Sequence, residues 1–302
     1  MELRVLRYFL AVAREENITK AAAFLRLTQP TLSRQLMQLE EELGVKLFQR
    51  GRHRIALTNE GRLLRRRAQE LVDLADKTAR EVSDSGRELI GEISIGAGES
   101  RGMSFLSQAI RLFQERYPKV VFHIFSGSAD AVKGRLDTGL LDLGLFTEPV
   151  DVEQYGFFRL KEKDRWGVLV REDSPLAKLR AVTPRDLEDI PLIISGREIV
   201  QKELASWFGE SWESVHPAAT FNLGLNAANM VRCGVGAAVY LELGVSFDGL
   251  RLLPLRPKME TGTVLVWKKG QVPSPAEAAF HDHVKECLKG ISTENEWALD
   301  IY

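Results

Sequence analysis

Cysteine is nearly absent: Cys233 and Cys287 are the two in 302 residues, too few for a disulfide framework, and their neighbours show no metal-ligand spacing. A stapled secreted scaffold and a structural zinc site therefore drop out. A reducing compartment fits, and no cofactor or metal is expected. Cys233, in an apolar helical stretch beside Gly234, is expected to be a buried structural thiol, with redox sensing by either cysteine as the alternative. Long apolar runs are missing too. None approaches the ~18 residues of a membrane span, and the opening MELRVLRYFLAVAREEN carries Arg4 and Arg7 inside its apolar stretch, unlike a signal-peptide core. No membrane partner is expected, and the chain reads as cytoplasmic. Hydrophobic residues at 44% and charged residues at 27% exclude the disordered and fibrous classes, while the length exceeds what one core usually serves.

A charge of one sign is lacking only on average, since the net value is −1. Residues 1–67 hold 14 Lys and Arg against 7 Asp and Glu, whereas the remainder holds 27 against 35, so a head of +7 precedes a body of −8. Phosphate neutralisation needs local positive charge, so the asymmetry points to an N-terminal nucleic-acid-binding module.

Within that head, Leu3, Leu6, Leu10 and Ala13 have the spacing of one buried helical face. Thr19 is placed to cap a short second helix through Ala21, Ala22, Ala23 and Leu25, whose small side chains let another helix cross closely. Thr28 or Gln29 caps a third, with Pro30 in the first turn where its missing N–H has no intrahelical partner. Leu32, Leu36, Leu39 and Leu43 stack inward on it, leaving Thr31, Ser33, Arg34, Gln35 and Gln38 outward. Gly44 ends this helix, and VKLFQRGRHRIALT reads as two strands around a basic tip of Arg50, Arg52, His53 and Arg54. Short polar residues with one Arg suit base edges in a major groove, and a basic hairpin suits phosphates or the minor groove. A merely solvated face is the alternative.

The run ITKAAAFLRLTQPTLSRQLMQLEEELGVKLFQRGRHRIALTNEG, residues 18–61, resembles the DNA-binding domain of LysR-type regulators nearly throughout: paired alanines, Gln-Pro before Ser-Arg, LE before LG, LF then Arg, LT then Gly. The resemblance implies a winged helix-turn-helix over 1–58 on double-stranded DNA. Gln29, Pro30, Thr31, Ser33 and Arg34 would face the major groove, with Arg50, Arg52, His53 and Arg54 in the wing.

Thr58 is placed to cap a connecting helix with Glu60 in its first turn. Gly61 is tolerated near the start, and no strong breaker follows until Ser85 and Gly86. Leu64, Ala68, Leu71, Ala75, Thr78 and Val82 are spaced as a heptad seam, which needs a partner helix. At ~1.5 Å per residue, residues 59–87 would form a rod of about 43 Å. This resembles the family's linker helix and implies a homodimer, or the homotetramer usual in the family. A helix packed on its own chain is the alternative.

From Glu92 strands and helices alternate: EISIG, VVFHIF and LLDLGLF, then from Trp166 WGVLV, PLIIS, ATF and GAAVYL, with TGTVLVWKK late and a helix over 275–288. Repeated β-α-β implies an α/β body. IG at 95–96, YP at 117–118, DLGL at 142–145, DSPLA at 173–177 and VRCGVGAAV at 231–239 are similar to the effector domain of the same family, itself similar to periplasmic binding proteins. Expected is a two-lobed domain over 88–302, with lobe I about 88–161 and 269–302 and lobe II about 162–268. A small-molecule effector would bind between them. Helix N-termini at strand carboxyl ends favour anions such as carboxylates. Ser100, Ser128, Thr147 and Asn222 match cleft positions of the family, and Arg101 suits an acidic effector. Glu99 either neutralises Arg101 or favours a cationic or hydroxylated ligand. Capping or loop bonding is the alternative role for each polar residue.

Two rival functions are open. Gly98-Glu99-Ser100-Arg101-Gly102 formally matches the G-x-S-x-G elbow of serine hydrolases, but no HGGG-like oxyanion segment appears and nothing singles out His216, His281 or His283 as a base. A solute-binding protein would suit the body alone, and the basic head speaks against it. The expectation is a sequence-specific DNA-binding transcriptional regulator, not an enzyme, modulated by a small molecule.

Overall fold

The computed structural model describes residues 1–50, 55–83 and 89–290. The chain divides into two compact units, Met1–Ser85 and Gly86–Tyr302.

In the first unit α1 (Leu3–Glu15), α2 (Ile18–Phe24) and α3 (Gln29–Leu43) share one core. A hairpin of β1 (Phe48–Arg50) and β2 (Ile55–Leu57) and then α4 (Asn59–Ser83) follow. The buried face of α1 is Val5, Leu6, Phe9 and Val12, and Leu3 is exposed. The expected face is thus rotated: Val5 and Phe9 are four apart, one turn, and bring the larger ring inward. Asn17, not Thr19, caps α2, its side-chain oxygen accepting the Lys20 N–H at 3.0 Å. Thr28 caps α3, and its hydroxyl lies 2.8 Å from that of Thr31. Leu32, Leu36 and Leu39 are buried, whereas Leu43 is exposed because the helix ends at Gly44, φ 68°. Fully burying a Phe or Leu contributes about 1.5–3 kcal/mol, so this cluster dominates the stability of so small a unit.

Polar groups fix the joint between α3, the hairpin and α4. Glu40 accepts the N–H groups of Leu47 at 2.8 Å and Phe48 at 3.3 Å, and Lys46 Nζ at 2.7 Å. Burial works against its charge, but these donors outweigh burial and hold the carboxyl below its usual range. Thr58 donates to the Lys46 carbonyl at 2.7 Å and caps α4 by accepting the Gly61 N–H at 2.9 Å. Gly61 is required rather than tolerated: a Cβ there would overlap the carbonyl oxygen of Leu47 and press on Leu57 at 3.0 Å.

The heptad seam divides. Ala68 and Val72 are buried in the unit's own core with Leu64 packed against them, so these positions of α4 face their own chain. Arg7 of α1 grips Asp76 with both guanidinium nitrogens one turn further on. Leu71, Ala75 and Thr78 lie on the adjoining side and, with Leu74, Met1 and Leu3, line an apolar groove between α1 and α4. The Val82 side chain lies outside the described residues.

The second unit begins β3 (Gly91–Ala97), α5 (Gly102–Arg116), β4 (Val120–Ser126), α6 (Ala129–Asp137), β5 (Leu143–Thr147) and β6 (Tyr155–Arg171). It continues β7 (Leu192–Ser195), α7 (Glu198–Phe208), β8 (Pro217–Phe221), α8 (Gly224–Arg232), β9 (Ala237–Leu241), β10 (Leu250–Pro254), β11 (Glu260–Lys268) and α9 (Pro275–Gly290). The strand order is β4-β3-β5-β11-β6-β9-β7-β8, with β10 also on β6. β3 runs parallel to β4 and β5, and β7 runs parallel to β8 and β9. β11 lies antiparallel to β5 and to residues 155–165 of β6, whereas β9 and β10 lie antiparallel to the stretch from Trp166 to Arg171. One 17-residue strand therefore serves both lobes.

This pairing corrects two expectations. β11 belongs to the first lobe's sheet, not the second, because Val264 and Leu265 register with Phe146 and Leu145 of β5. No lobe boundary falls at 161, since β6 runs through it and the change of partners comes between Arg165 and Trp166. Each sheet half is covered on both faces. Leu265 joins Ile95, Phe113 and Phe280 under α5 and α9, while Val264 joins Val132 and Leu136 under α6. In the second half Val168 packs with Leu192 and Leu204, and Leu169 with Ala228 and Val231. Neighbours on one strand thus feed opposite cores, which is why these strands read as unbroken apolar runs. Cys233, expected buried, is the exposed C-cap of α8, because that helix buries Gly224, Ala227, Ala228 and Val231 and then stops at Gly234, φ 79°.

Candidate functional site

The first unit presents one side of α3. With Leu32, Leu36 and Leu39 inward, Gln29, Pro30, Thr31 and Arg34 are exposed and Ser33 is half-buried. Thr31 is oriented by the Thr28 hydroxyl, and Gln35 Nε2 donates to Gln38 Oε1 at 3.1 Å. Arg34 is exposed, makes no ion pair among the described residues, and by helical spacing shares one side of α3 with Thr31, Gln35 and Gln38. These donors and acceptors match those of base edges and phosphates. The side chain of Arg50, and Arg52, His53 and Arg54, lie outside the described residues.

In the second unit the carboxyl ends of β3, β4 and β5 meet those of β7, β8 and β9 around one cleft. Parallel sheets place ligands there because loops and helix N-termini converge at those ends. The cavity volume is about 130 Å³. An apolar cavity of roughly 150 Å³ holds benzene, so the room is that of a single ring or a short branched chain. Phe146, Val200, Phe221, Leu241 and Leu243 make much of the lining apolar.

Three of the five expected cleft residues line it: Ser128, Thr147 and Asn222. Ser128 also caps α6, accepting the Ala131 N–H at 3.3 Å, so its capping and lining roles coexist. Ser100 and Arg101 are not part of the lining. The Arg101 N–H donates to Asp164 Oδ1 at 3.1 Å, and its guanidinium stands 4.0 Å from Glu242, which engages it at the junction of the lobes. Asp164 is buried and also accepts the Thr263 hydroxyl at 3.1 Å. Burial pushes its carboxyl above the usual range despite these two bonds.

Glu99 reaches across the cleft, where its carboxylate accepts the backbone N–H of Gly224 at the start of α8. A side chain at Gly224 would meet Tyr240 Oη at 2.7 Å and Glu99 Oε2 at 2.9 Å, so only glycine allows this approach. Burial, and then the Glu99 charge, push the Tyr240 phenol up to about 12, which keeps its hydroxyl protonated. Among the described residues neither that hydroxyl nor Trp166 Nε1 has a hydrogen-bond partner, and both side chains line the cleft. Arg197, the N-cap position of α7, lines it as well and makes no ion pair among the described residues.

Arg197, Trp166 and Tyr240 were not singled out by the sequence. The rule that pointed to Ser128 and Thr147, a polar residue just past a strand's carboxyl end, reaches Arg197 when applied to PLIISGR in the second lobe. Trp166 and Tyr240 carry no such signal, because a large aromatic residue in a strand reads as core.

Residues 86–289 match the family described as LysR substrate binding domain, and residues 3–62 match the bacterial regulatory helix-turn-helix protein, lysR family. The chain is 30% identical over 249 residues to the uncharacterized HTH-type transcriptional regulator YvbU of Bacillus subtilis (strain 168), covering 82% of this chain and 83% of that one. It is 29% identical over 304 residues to the Hca operon transcriptional activator HcaR of Escherichia coli (strain K12), covering 97% and 100%. The solved structure of CbnR, a LysR family transcriptional regulator, is similar in fold, with a TM-score of 0.77 at 20% identity over 95% of this chain and 99% of that one.

Proposed function

Because this chain belongs to the LysR family of transcriptional regulators, with a DNA-binding helix-turn-helix domain and an effector-binding domain, we propose specific roles for its residues in that regulation. It is a regulator and not an enzyme, in keeping with relatives that are named as transcriptional regulators. Gln29, Pro30, Thr31, Ser33 and Arg34 enter the major groove of double-stranded DNA, and Arg50, Arg52, His53 and Arg54 contact its backbone phosphates or its minor groove. The observation that carries this reading is the exposed side of α3, where Arg34 stands unpaired next to Thr31. A structure of CbnR bound to its target DNA supports the fold being suited to such docking.

The connecting helix pairs two chains through Leu71, Ala75 and Thr78, giving a homodimer or homotetramer. Residues 1–58, 59–87 and 88 onward act as reading head, connector and sensor. The effector is a small molecule held between the lobes near Ser128, Thr147 and Asn222. No helix among the described residues is long and apolar enough to cross a membrane, and the protein works in the cytoplasm, where its DNA target is. Selection of bound sequences from a random duplex pool, followed by mobility-shift titration of the winner, tests the whole reading. Enrichment of a two-half-site sequence is expected. A pool that stays random after repeated rounds sinks it.

A further inference from the structure

The cleft does not offer its charges equally to a ligand. Glu99, Glu148 and Arg197 are its charged lining residues. Glu148 is paired with Arg159 at 2.6 Å. Glu99 sits on the N–H of Gly224, so the start of α8, where an anion would be favoured, already holds the protein's own carboxylate. The α7 side differs. Arg197 is without an ion pair among the described residues, and Trp166, more than nine-tenths buried, has an indole N–H with no acceptor. Trp166 packs with Val200 of α7 on one face of the sheet, whereas Tyr240 packs with Ala227 of α8 on the other. The two ends of the cleft are therefore chemically distinct: one has donors and a positive charge to spare, and the other has its anion in place.

Resting on the effector reading above, we propose that the ligand is a small apolar monocarboxylate. Its carboxylate lies on the α7 side against Arg197 and Trp166 Nε1, and Glu99 bars a second carboxylate from the α8 side. A guanidinium and an indole N–H are donors without acceptors, so the group that satisfies both is acceptor-only, which a carboxylate is. Supplying the missing acceptor to a buried N–H is especially favourable, because the donor's desolvation has already been incurred. The apolar body rests on Phe146, Phe221 and Leu241, within about 130 Å³. At the far end the Tyr240 hydroxyl can donate or accept, so a neutral hydroxyl or carbonyl is tolerated there. A second carboxylate would instead face Glu99 at close range, and like charges repel.

The test uses the full-length protein and two matched probe series, read by thermal melting and titration calorimetry. The first is benzoate with benzamide, benzylamine and terephthalate. The second is isovalerate with isovaleramide, isoamylamine and methylsuccinate, in which one methyl of isovalerate becomes a carboxylate. Wild-type protein should be stabilised by at least one monocarboxylate and by none of its amide, amine or dicarboxylate counterparts. Arg197→Ala should weaken that binding about ten-fold or more, with partial recovery in Arg197→Lys, and Trp166→Phe should weaken it less. Glu99→Gln should admit methylsuccinate, which the wild type rejects. A cooperative melt without probe, together with retained DNA binding, controls for folding in each variant, and binding is read as the shift from each variant's own melting temperature. If the amines or dicarboxylates bind wild type as tightly as the monocarboxylates, or Arg197→Ala binds benzoate normally, the charge assignment is overturned while the cleft remains a binding site. If no compound of any charge class shifts the melting, the charge assignment and the effector reading both fall.

Discussion

The carbonyl oxygen of Leu47 lies directly against the α-carbon of Gly61, with no space between them for even a methyl group. The contact closes the first turn of α4 onto the segment leading into the hairpin, and Thr58 bonds both sides of it. Gly61→Ala should therefore destabilise the reading head by roughly 1–3 kcal/mol, since backbone cannot yield as a side chain can. Gly134→Ala on α6, where nothing lies within 4 Å, should be neutral or stabilising by about 0.5–1 kcal/mol. Denaturant titration of both variants decides the point: equal effects would mean that helix propensity, not the Leu47 contact, governs Gly61.

Arg34 is exposed and makes no ion pair among the described residues, so its removal should leave the head folded. Arg34→Ala is expected to weaken binding to the selected duplex by about 1–3 kcal/mol with an unchanged melting temperature. Wild-type affinity in a mobility-shift titration would remove α3 from the groove.

Leu71 and Ala68 sit three residues apart on α4 and should respond differently to a charge. Leu71 is 42% exposed beside the apolar groove, whereas Ala68 is 0% exposed inside the head. Leu71→Glu should lower the oligomeric state in sedimentation and weaken binding to a two-half-site operator, while the head still melts cooperatively. Ala68→Glu should instead unfold the head, because a buried unpaired carboxylate costs several kcal/mol. Should Leu71→Glu remain oligomeric at micromolar concentration with full operator affinity, the pairing assigned to this face is wrong.

Asp164 gives a pH signature to the second unit. Its carboxyl titrates above the ordinary range in the folded state because burial disfavours the charge. Its contribution to stability is thus fully present below the unfolded-state value, about 3.9, and is lost as pH rises through the raised folded value. Asp164→Asn keeps an acceptor for the Arg101 N–H and allows the Thr263 hydroxyl to turn and accept. The variant should melt above wild type near pH ~7, with the gap shrinking toward pH ~4. A gap that is constant, or widens in acid, contradicts the assignment.

Where one physical signal dominates a segment, the sequence was readable. TQP followed by leucines at helical spacing marks α3, its cap and its exposed side, and PLIIS or GAAVYL could hardly be anything but buried strands. The rest was hidden by competing signals. Lys161, Glu162, Lys163, Asp164 and Arg165 interrupt the apolar alternation of β6, so its passage through the lobe boundary was not visible, and the partners of β11 are a matter of long-range pairing that no local pattern encodes. α1 and α4 each carry more apolar residues than one face can hold, and only packing decides that Phe9 and Val72 go inward. In the cleft, Ser128 and Thr147 were legible from strand ends. The reach of Glu99 to Gly224 was not, because 125 residues separate them.

The placement of β11 also bears on the order in which this protein can be made. The first unit draws its core from residues 5–72, one contiguous stretch of chain, and such a unit can fold as soon as it clears the ribosome. The first lobe cannot, because β11 stands between β5 and β6 in its sheet, and residues 260–268 are synthesised only after the whole second lobe. Until then the flank of β5 that will receive β11 is an open strand edge with unpaired N–H and C=O groups, a template for pairing with other chains. Truncation anywhere between the second lobe and β11 should accordingly yield a soluble, folded head attached to an aggregation-prone body, whereas ending the chain after α9 should restore a sheet with that position filled.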